Sequence, residues 1–337
     1  MHATTPATAR GLPARPGAAP RLGVITNPHS GRNRRQLAEV RRLLETSGRV
    51  RHIVTEDSAA IPHALAAFAD EGVGIVGING GDGSVAHVLT TLMHASPFAS
   101  PPLLCALPGG TTNVTVGDVG IRGGLCAAIL ALLGWLHSGD ARALVVQRPV
   151  IGVSGAGGAP LGCGLVFGAG AVVDGIEYWQ EQVRARGMRS ELSSGVAMIR
   201  TLWGMVHGHD GFGEALRIGI TPAGSARSDG EFMLLAISAL ERLFLGIHPF
   251  WGGGDGRLYF TAIERHAAHF ARAVPSLLRG RAAAFMSRDN GYHSARLDSV
   301  QLDFRSAFTL DGELHHPAPE DAPMRVGCAG TARFLRI

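Results

Sequence analysis

Residues 21–26 are short, apolar and rich in β-branched side chains, which predicts a buried strand. Pro28 ends it, because proline has no N–H to give to a sheet ladder. From about 34 to 46 the period changes. Leu37, Val40, Leu43 and Leu44 fall on one face of a helix. The alternation then repeats. Residues 50–55 predict a second strand, and Ile61, Leu65 and Phe68 give an inward face to a helix over 59–71. Residues 73–78 predict a third strand, a helical pattern follows from Val85, and residues 103–107 predict a fourth strand. Strand and helix in short alternation predict a parallel sheet with right-handed crossovers. Residues 125–136 are apolar on every face, so this helix is expected to be buried or to touch another apolar surface.

From about residue 141 the texture changes. Segments 144–153, 162–173, 216–221, 232–238, 257–263, 282–286, 300–304 and 306–310 read as short strands between glycine or aspartate turns. Many short strands at regular spacing predict a mainly antiparallel β-sandwich. A helical insertion over 193–207 carries Val196, Ile199, Leu202, Trp203 and Val206. The expected fold class is an α/β domain on a Rossmann-like parallel sheet plus a mainly antiparallel β-sandwich domain. The expected organisation is a disordered tail over 1–20, an α/β domain over 21–140 completed by 320–337, and the sandwich over 141–319.

Ligands of open parallel sheets bind beyond the carboxyl ends of the strands. Three turns fall there. The first is Asn27, Pro28, His29, Ser30, Gly31 and Arg32, with Ser30 placed to cap the next helix. The second is Gly80, Gly81, Asp82, Gly83 and Ser84. The third is Pro108, Gly109, Gly110, Thr111, Thr112 and Asn113. Thr55 ends the second strand. Glycines let the backbone approach an anion, and a helix that starts there aims N–H groups and its positive end at phosphate. Asp82 would repel phosphate, so it points to a metal ion or to a proton to be taken. Two glycine turns on one sheet edge are far more specific than one. Gly72, Gly74 and Gly77 spell a dinucleotide fingerprint, but they lie in or before the strand, where that motif has no mechanism. Two further acidic turns, around Asp255 and around Asp311, Gly312 and Glu313, each read alone as a hairpin turn.

Composition narrows the chemistry. All 31 basic residues are arginine and net charge is +4. Without lysine, a phosphate loop ending in Gly-Lys and Schiff-base chemistry are excluded. Cations on phosphate must be arginine, backbone amides or metal. The 15 histidines show no zinc spacing, and no Gly-x-Ser-x-Gly elbow occurs. Cys105, Cys126, Cys163 and Cys328 form no Cys-x-x-Cys pair and read as free thiols of a reducing compartment. No stretch reaches the roughly 20 apolar residues of a membrane span. Membrane contact would be peripheral, through 125–136 or the segment around Trp203.

Together, the turns at 27–31, 80–84, 107–113, 255–256 and 311–313 resemble the diacylglycerol kinase catalytic family, which includes bacterial lipid kinases and sphingosine and ceramide kinases. The resemblance implies that the α/β domain is nucleotide-binding, and that ATP and a lipid are expected to meet in the cleft of the two-domain fold. It implies an ATP site of Asn27, Ser30, Gly31, Arg32, Thr55, Gly80, Gly81, Gly83, Ser84, Gly110, Thr111 and Asn113. Asp82 would serve the phosphates through Mg²⁺ or help activate the lipid hydroxyl. Glu313 would accept the proton with Asp311 beside it. Asp255 would hold Mg²⁺ with carbonyls of Gly252 and Arg257. The sequence departs from the family pattern at Ser84, Ala86, His87, Val114, Val116 and Gly117, which fits a branch with a different lipid.

The reading is therefore an ATP- and Mg²⁺-dependent lipid kinase of the cytoplasm, peripheral at the inner membrane face. It uses no nucleic acid, and a homodimer is left open. The acceptor is a hydroxyl of a diacylglycerol-like or ceramide-like lipid. The alternatives are a soluble metabolite kinase of the NAD kinase type and a catalytically weak nucleotide- or lipid-binding protein.

Overall fold

The computed structural model describes residues 21–138, 143–186, 216–243 and 246–337. The expected tail (1–20) and the expected helical insertion (193–207) lie outside them. The described residues divide into two compact units. One runs to Arg148 and includes Thr331–Ile337; the other is Pro149–Gly330.

The first unit holds a parallel sheet of β1 (Arg21–Thr26), β2 (Val50–Val54), β3 (Val73–Gly80) and β4 (Leu103–Pro108), in the order β2-β1-β3-β4. Phe334, near the end of β15 (Met324–Arg336), pairs in parallel with Leu104 of β4. Register sets Thr26 opposite Val54 and Asn79, and Asn79 opposite Leu107. The carboxyl ends of four strands are therefore level, and the turns leaving them share one edge.

The helices are α1 (Asn33–Glu45), α2 (Ile61–Asp70), α3 (Asp82–Ala95), α4 (Val114–Val119) and α5 (Leu125–Ser138). The apolar stripe of α1, through Val40, Leu43 and Leu44, meets Leu125, Ile129, Leu132 and Leu136 of α5 over Leu22, Ile75 and Leu103. Each such buried aliphatic side chain contributes up to about 1.5–3 kcal/mol. Thus α5 is apolar all round, yet it spends one face on this core. Its outer face is Ala127, Leu130, Ala131 and Gly134, with Leu130 55% exposed.

In the second unit the strands are β6 (Pro160–Gly164), β7 (Val166–Gly170), β8 (Leu216–Pro222), β9 (Ser228–Ser238), β10 (Leu258–Glu264), β11 (Tyr292–Leu297), β12 (Ser299–Asp303), β13 (Phe308–Leu310) and β14 (Glu313–His315). From β6 to β14 the strands of this unit pair antiparallel. The strand β5 (Leu144–Ser154) leads into it and pairs with β6. The long β9 organises the unit. Its first half pairs with β8, its second half with β7, and residues 232–238 also pair with β10.

Several expectations are corrected here. Residues 162–173 are not one strand: β6 ends at Gly164, β7 ends at Gly170 (φ 67°), and α6 (Ala171–Arg186) starts at once. Residues 282–286 are a turn, not a strand; three consecutive alanines pack poorly on a sheet, and the Met286 N–H returns to the Ala283 carbonyl. The strand in that region is β11. A helix, α7 (Phe270–Leu278), was masked in the sequence by Pro275. It seals a small core of Met233, Ile263, Ala273, Leu277, Met286 and Tyr292.

None of the four cysteines is in a disulfide. Burial pushes the Cys105 thiol in β4 up to about 12 and the Cys163 thiol in β6 up to about 11. Among the described residues no helix is long and apolar enough to cross a membrane.

Candidate functional site

Three turns come together at the carboxyl edge of the parallel sheet. The Asn27 N–H bonds to the Asn79 carbonyl (3.0 Å), and its side-chain amide lies 3.3 Å from Ser84 Oγ. The Arg32 N–H bonds to the Gly109 carbonyl (2.9 Å), so the first turn is laced to both glycine turns. A Cβ at Gly31 would lie 2.3 Å from Thr111 Oγ1, and one at Gly110 2.6 Å from the Gly81 Cα. Neither glycine can take a side chain without moving a turn. Here the glycines serve backbone-to-backbone approach, the geometry that leaves N–H groups facing an anion. Gly80, Gly81, Gly83 and Ser84 belong to this junction. So do Ser30 and Thr55, whose N–H bonds to the Thr26 carbonyl (2.9 Å).

Ser30 does not cap α1 with its side chain. Its carbonyl instead takes the Arg34 N–H (3.2 Å). The Arg32 guanidinium reaches the Gly123 carbonyl (3.1 Å). Asn113 sits in the left-handed region (φ 51°) and closes its turn on both polar groups of Gly110 at 2.9 Å.

Asp82 starts α3, but its carboxylate reaches out of it. Oδ2 accepts the Val114 N–H (3.1 Å) and Oδ1 the Thr115 N–H (2.9 Å). These are orphan donors of the first turn of α4, and Asn113 leaves them uncapped. Asp82 is thus the cap of another helix and ties the second turn to the third. Desolvation raises its pKa above 3.8, and the bonds from Thr115 and Val114 oppose that without cancelling it.

Beneath the edge lies a buried polar layer that the sequence did not reveal. The Asn33 side-chain amide donates to the carbonyls of Asn27 (2.8 Å) and Asn79 (3.0 Å). Asn79 Nδ2 donates to Thr26 Oγ1 (3.2 Å), which also lies 2.9 Å from His52 Nε2. Burial lowers the His52 pKa. The Asn33 and Asn79 Oδ1 atoms are buried without a hydrogen-bond partner. Asp118 of α4 pairs with Arg148 at 2.8 Å, at 4% and 7% side-chain exposure. A single polar letter inside an apolar strand, as at Asn79, was the available signal.

In the second unit, Asp311 and Gly312 form the two-residue turn between β13 and β14, with φ of 49° and 84°. Two consecutive positive φ values are the signature of a tight hairpin turn whose twist suits its strands. The Asp311 carboxylate accepts the N–H groups of Leu165 (3.0 Å) and Val166 (2.8 Å). Glu313 begins β14 opposite Leu310 and is partly buried. His315, two residues on, stacks on Phe308 at 5.0 Å.

Asp255 is exposed on a loop pinned along β11. The Arg296 N–H bonds to the Gly253 carbonyl (2.9 Å), the Gly252 N–H to Ser294 Oγ (3.0 Å), and the Arg257 guanidinium to Asp298 (2.8 Å). Among the described residues no three His, Cys, Asp or Glu side chains cluster as a metal site. A single carboxylate with backbone carbonyls suits Mg²⁺, which keeps several waters, better than a metal needing a full protein cage.

The first unit is thus a parallel α/β layer with a glycine-built edge, and the second an antiparallel strand-rich unit. Residues 21–142 match the diacylglycerol kinase catalytic domain. That match spans about a third of the chain. A diacylglycerol kinase structure from Bacillus anthracis str. Sterne is 16% identical, with a TM-score of 0.58 over 94% of this chain and 96% of that one. A second structure from the same strain is 17% identical, with a TM-score of 0.60 over the same shares. At such identity these likenesses establish the two-part fold. No curated protein matches the chain in sequence.

Proposed function

We propose that this protein is an ATP-dependent lipid kinase that transfers the γ-phosphate to a lipid hydroxyl. The observation that carries the reading is the convergence of the turns at 27–32, 80–84 and 109–113 on one sheet edge, locked by the Asp82 carboxylate on α4. Phosphoryl transfer needs positioning and charge neutralisation more than covalent chemistry. Backbone N–H groups at the start of α3 and in the 109–113 turn hold phosphate oxygens, and Arg32 adds the nearby positive charge. Asn27, Thr55 and Thr111 complete the nucleotide site.

A carboxylate has about four lone-pair sites, and the two N–H bonds leave Asp82 able to serve a cation. Mg²⁺ bound there would neutralise charge on the phosphates. Asp255, with carbonyls of Gly252 and Arg257, would hold a second, structural Mg²⁺. Glu313 accepts the proton of the lipid hydroxyl as it leaves, and Asp311 fixes the hairpin that presents it. The acceptor class is diacylglycerol-like or ceramide-like, and the enzyme works as a peripheral protein at a membrane surface.

Incubation with labelled ATP and a total lipid extract, with products read by mass spectrometry, tests the reading. A phosphorylated lipid supports it. Turnover of NAD in plain buffer, with none on lipid, would transfer the site to a soluble metabolite kinase. ATP binding with no product on any lipid would reduce it to a binding protein.

A further inference from the structure

Several surface arginines are matched by carboxylates: Arg42 by Glu39, Arg51 by Glu71, Arg217 by Glu231, and Arg227 by Asp229 and Asp303. One stretch of the second unit is different. Arg265, Arg272, Arg279, Arg281 and Arg288 are all exposed, and none forms an ion pair among the described residues. No acidic residue occurs from 265 to 288, and Glu264 just before it is held by His293 at 2.8 Å. Five arginines thus stand against two bordering carboxylates, Glu264 and the exposed Asp289.

The stretch is also firmly seated. Ala273 and Leu277 of α7 are buried in the small core with Met286 and Tyr292. Tyr292 Oη donates to the Ala268 carbonyl (2.7 Å), and Asn290 Nδ2 to the Phe285 carbonyl (2.7 Å). Arg272 stands over the Phe285 ring at 5.9 Å, and Arg279 donates to the Pro275 carbonyl (3.1 Å). Among the arginines, Ala271, Pro275, Ala282 and Ala284 are exposed and apolar. Arginine on apolar ground, carried by a helix with one face in a core, is the make-up of an element that lies on an anionic bilayer. His266, His269 and Ser287 are the other exposed polar residues of the stretch, so single-stranded nucleic acid is kept as an outcome of the test.

We infer that α7 and the loop to Arg288 form the docking surface for an anionic lipid bilayer. The surface suits an enzyme whose acceptor lies in a membrane, and to that extent it rests on the lipid-kinase reading. It replaces α5 as the candidate contact in the described residues, because α5 spends its main face on its own core.

The test is sedimentation of the full chain with vesicles of phosphatidylcholine holding phosphatidylglycerol at about one part in three, without ATP. Each arginine near such a surface strengthens binding about fivefold. The triple variant R272Q/R279Q/R281Q is expected to bind at least about tenfold more weakly, and the wild type to lose binding at about 0.5 M salt. The control R41Q/R42Q/R51Q, on the first unit, is expected to bind as wild type. Melting curves of both variants check folding, and R265Q/R288Q repeats the test if the triple variant melts early. Equal sedimentation of folded variant and wild type overturns the inference, as does binding of single-stranded nucleic acid in preference to vesicles. These vesicles contain no acceptor, so failure of the kinase reading would leave the binding result standing. Conversely, a kinase that works on neutral micelles but ignores the vesicle charge would sink only the docking surface.

Discussion

Asp82 and Asp311 begin from the same two letters, Asp-Gly, and do the same mechanical job in different ways. Asp82 stands at the head of a helix and caps a neighbouring helix through the Val114 and Thr115 N–H groups. Asp311 stands in a hairpin turn at positive φ and holds the Leu165 and Val166 N–H groups of a distant segment. Both carboxylates staple backbone that is remote in sequence. A third Asp-Gly, at Asp255, is exposed. These three Asp-Gly pairs thus have different fates, set by what the fold brings to each carboxylate. Asp82 is desolvated at its edge, which disfavours its ionised form, while the N–H groups at the start of α4 favour it. Asp311 meets strand N–H groups that need an acceptor.

The largest expected effect tests the frame around Asp82. Arg148→Met leaves Asp118 of α4 charged and unpaired, and should cost about 3–5 kcal/mol in denaturant unfolding. A loss under about 1 kcal/mol would mean that α4 is held by Asp82 alone.

Next comes Asp82→Asn. Lipid phosphorylation should fall about a hundredfold. Unfolding free energy should change by less than about 1 kcal/mol, because removing a desolvated charge offsets the lost acceptor. The pH dependence has a definite sign. Desolvation raises the folded pKa of Asp82, so the stability linked to its protonated form is present at low pH and is lost as pH rises through that value. Activity needs the ionised form, so the wild-type rate should fall on acidification at a higher pH than for an ordinary carboxylate. Asp82→Asn should flatten that limb, and an unchanged limb would clear Asp82 of the role.

Asp311→Ala is the opposite case. It leaves the Leu165 and Val166 N–H groups without their acceptor and should cost about 1–3 kcal/mol of stability. Asp311→Asn, which keeps an acceptor and tolerates positive φ, should recover most of it. If alanine melts like wild type, the hairpin does not depend on this staple. The smallest effect is Asp255→Asn, within about 0.5 kcal/mol without Mg²⁺. A melting rise with added Mg²⁺ that the variant loses would give Asp255 its metal.

Much of the α/β unit was legible because its elements are periodic and short. The inward positions Ile61, Leu65 and Phe68 of α2 are buried, as their spacing predicted. The strand unit was harder. The helices α6 and α7 escaped because Val172 and Val173 look like strand and Pro275 looks like a break. The insertion over 193–207 lies outside the described residues. At the site, the glycine turns could be read from letters, since backbone approach needs glycine and little else. What Asp82 grips could not. Its partners are N–H groups 32 and 33 residues away, and a main-chain donor leaves no mark in a sequence. The Asn33, Asn79 and His52 layer was hidden for the same reason: each letter alone is an ordinary polar residue.

The two shielded thiols have a use outside catalysis. Cys105 belongs to the first unit and Cys163 to the second, both wholly buried and both poor thiolates. Cys126 and Cys328 are partly exposed. An alkylating reagent should therefore mark the outer pair at once and each inner thiol only when its own unit opens. Peptide mapping over time would date the opening of each half separately, in the native chain and without an added label.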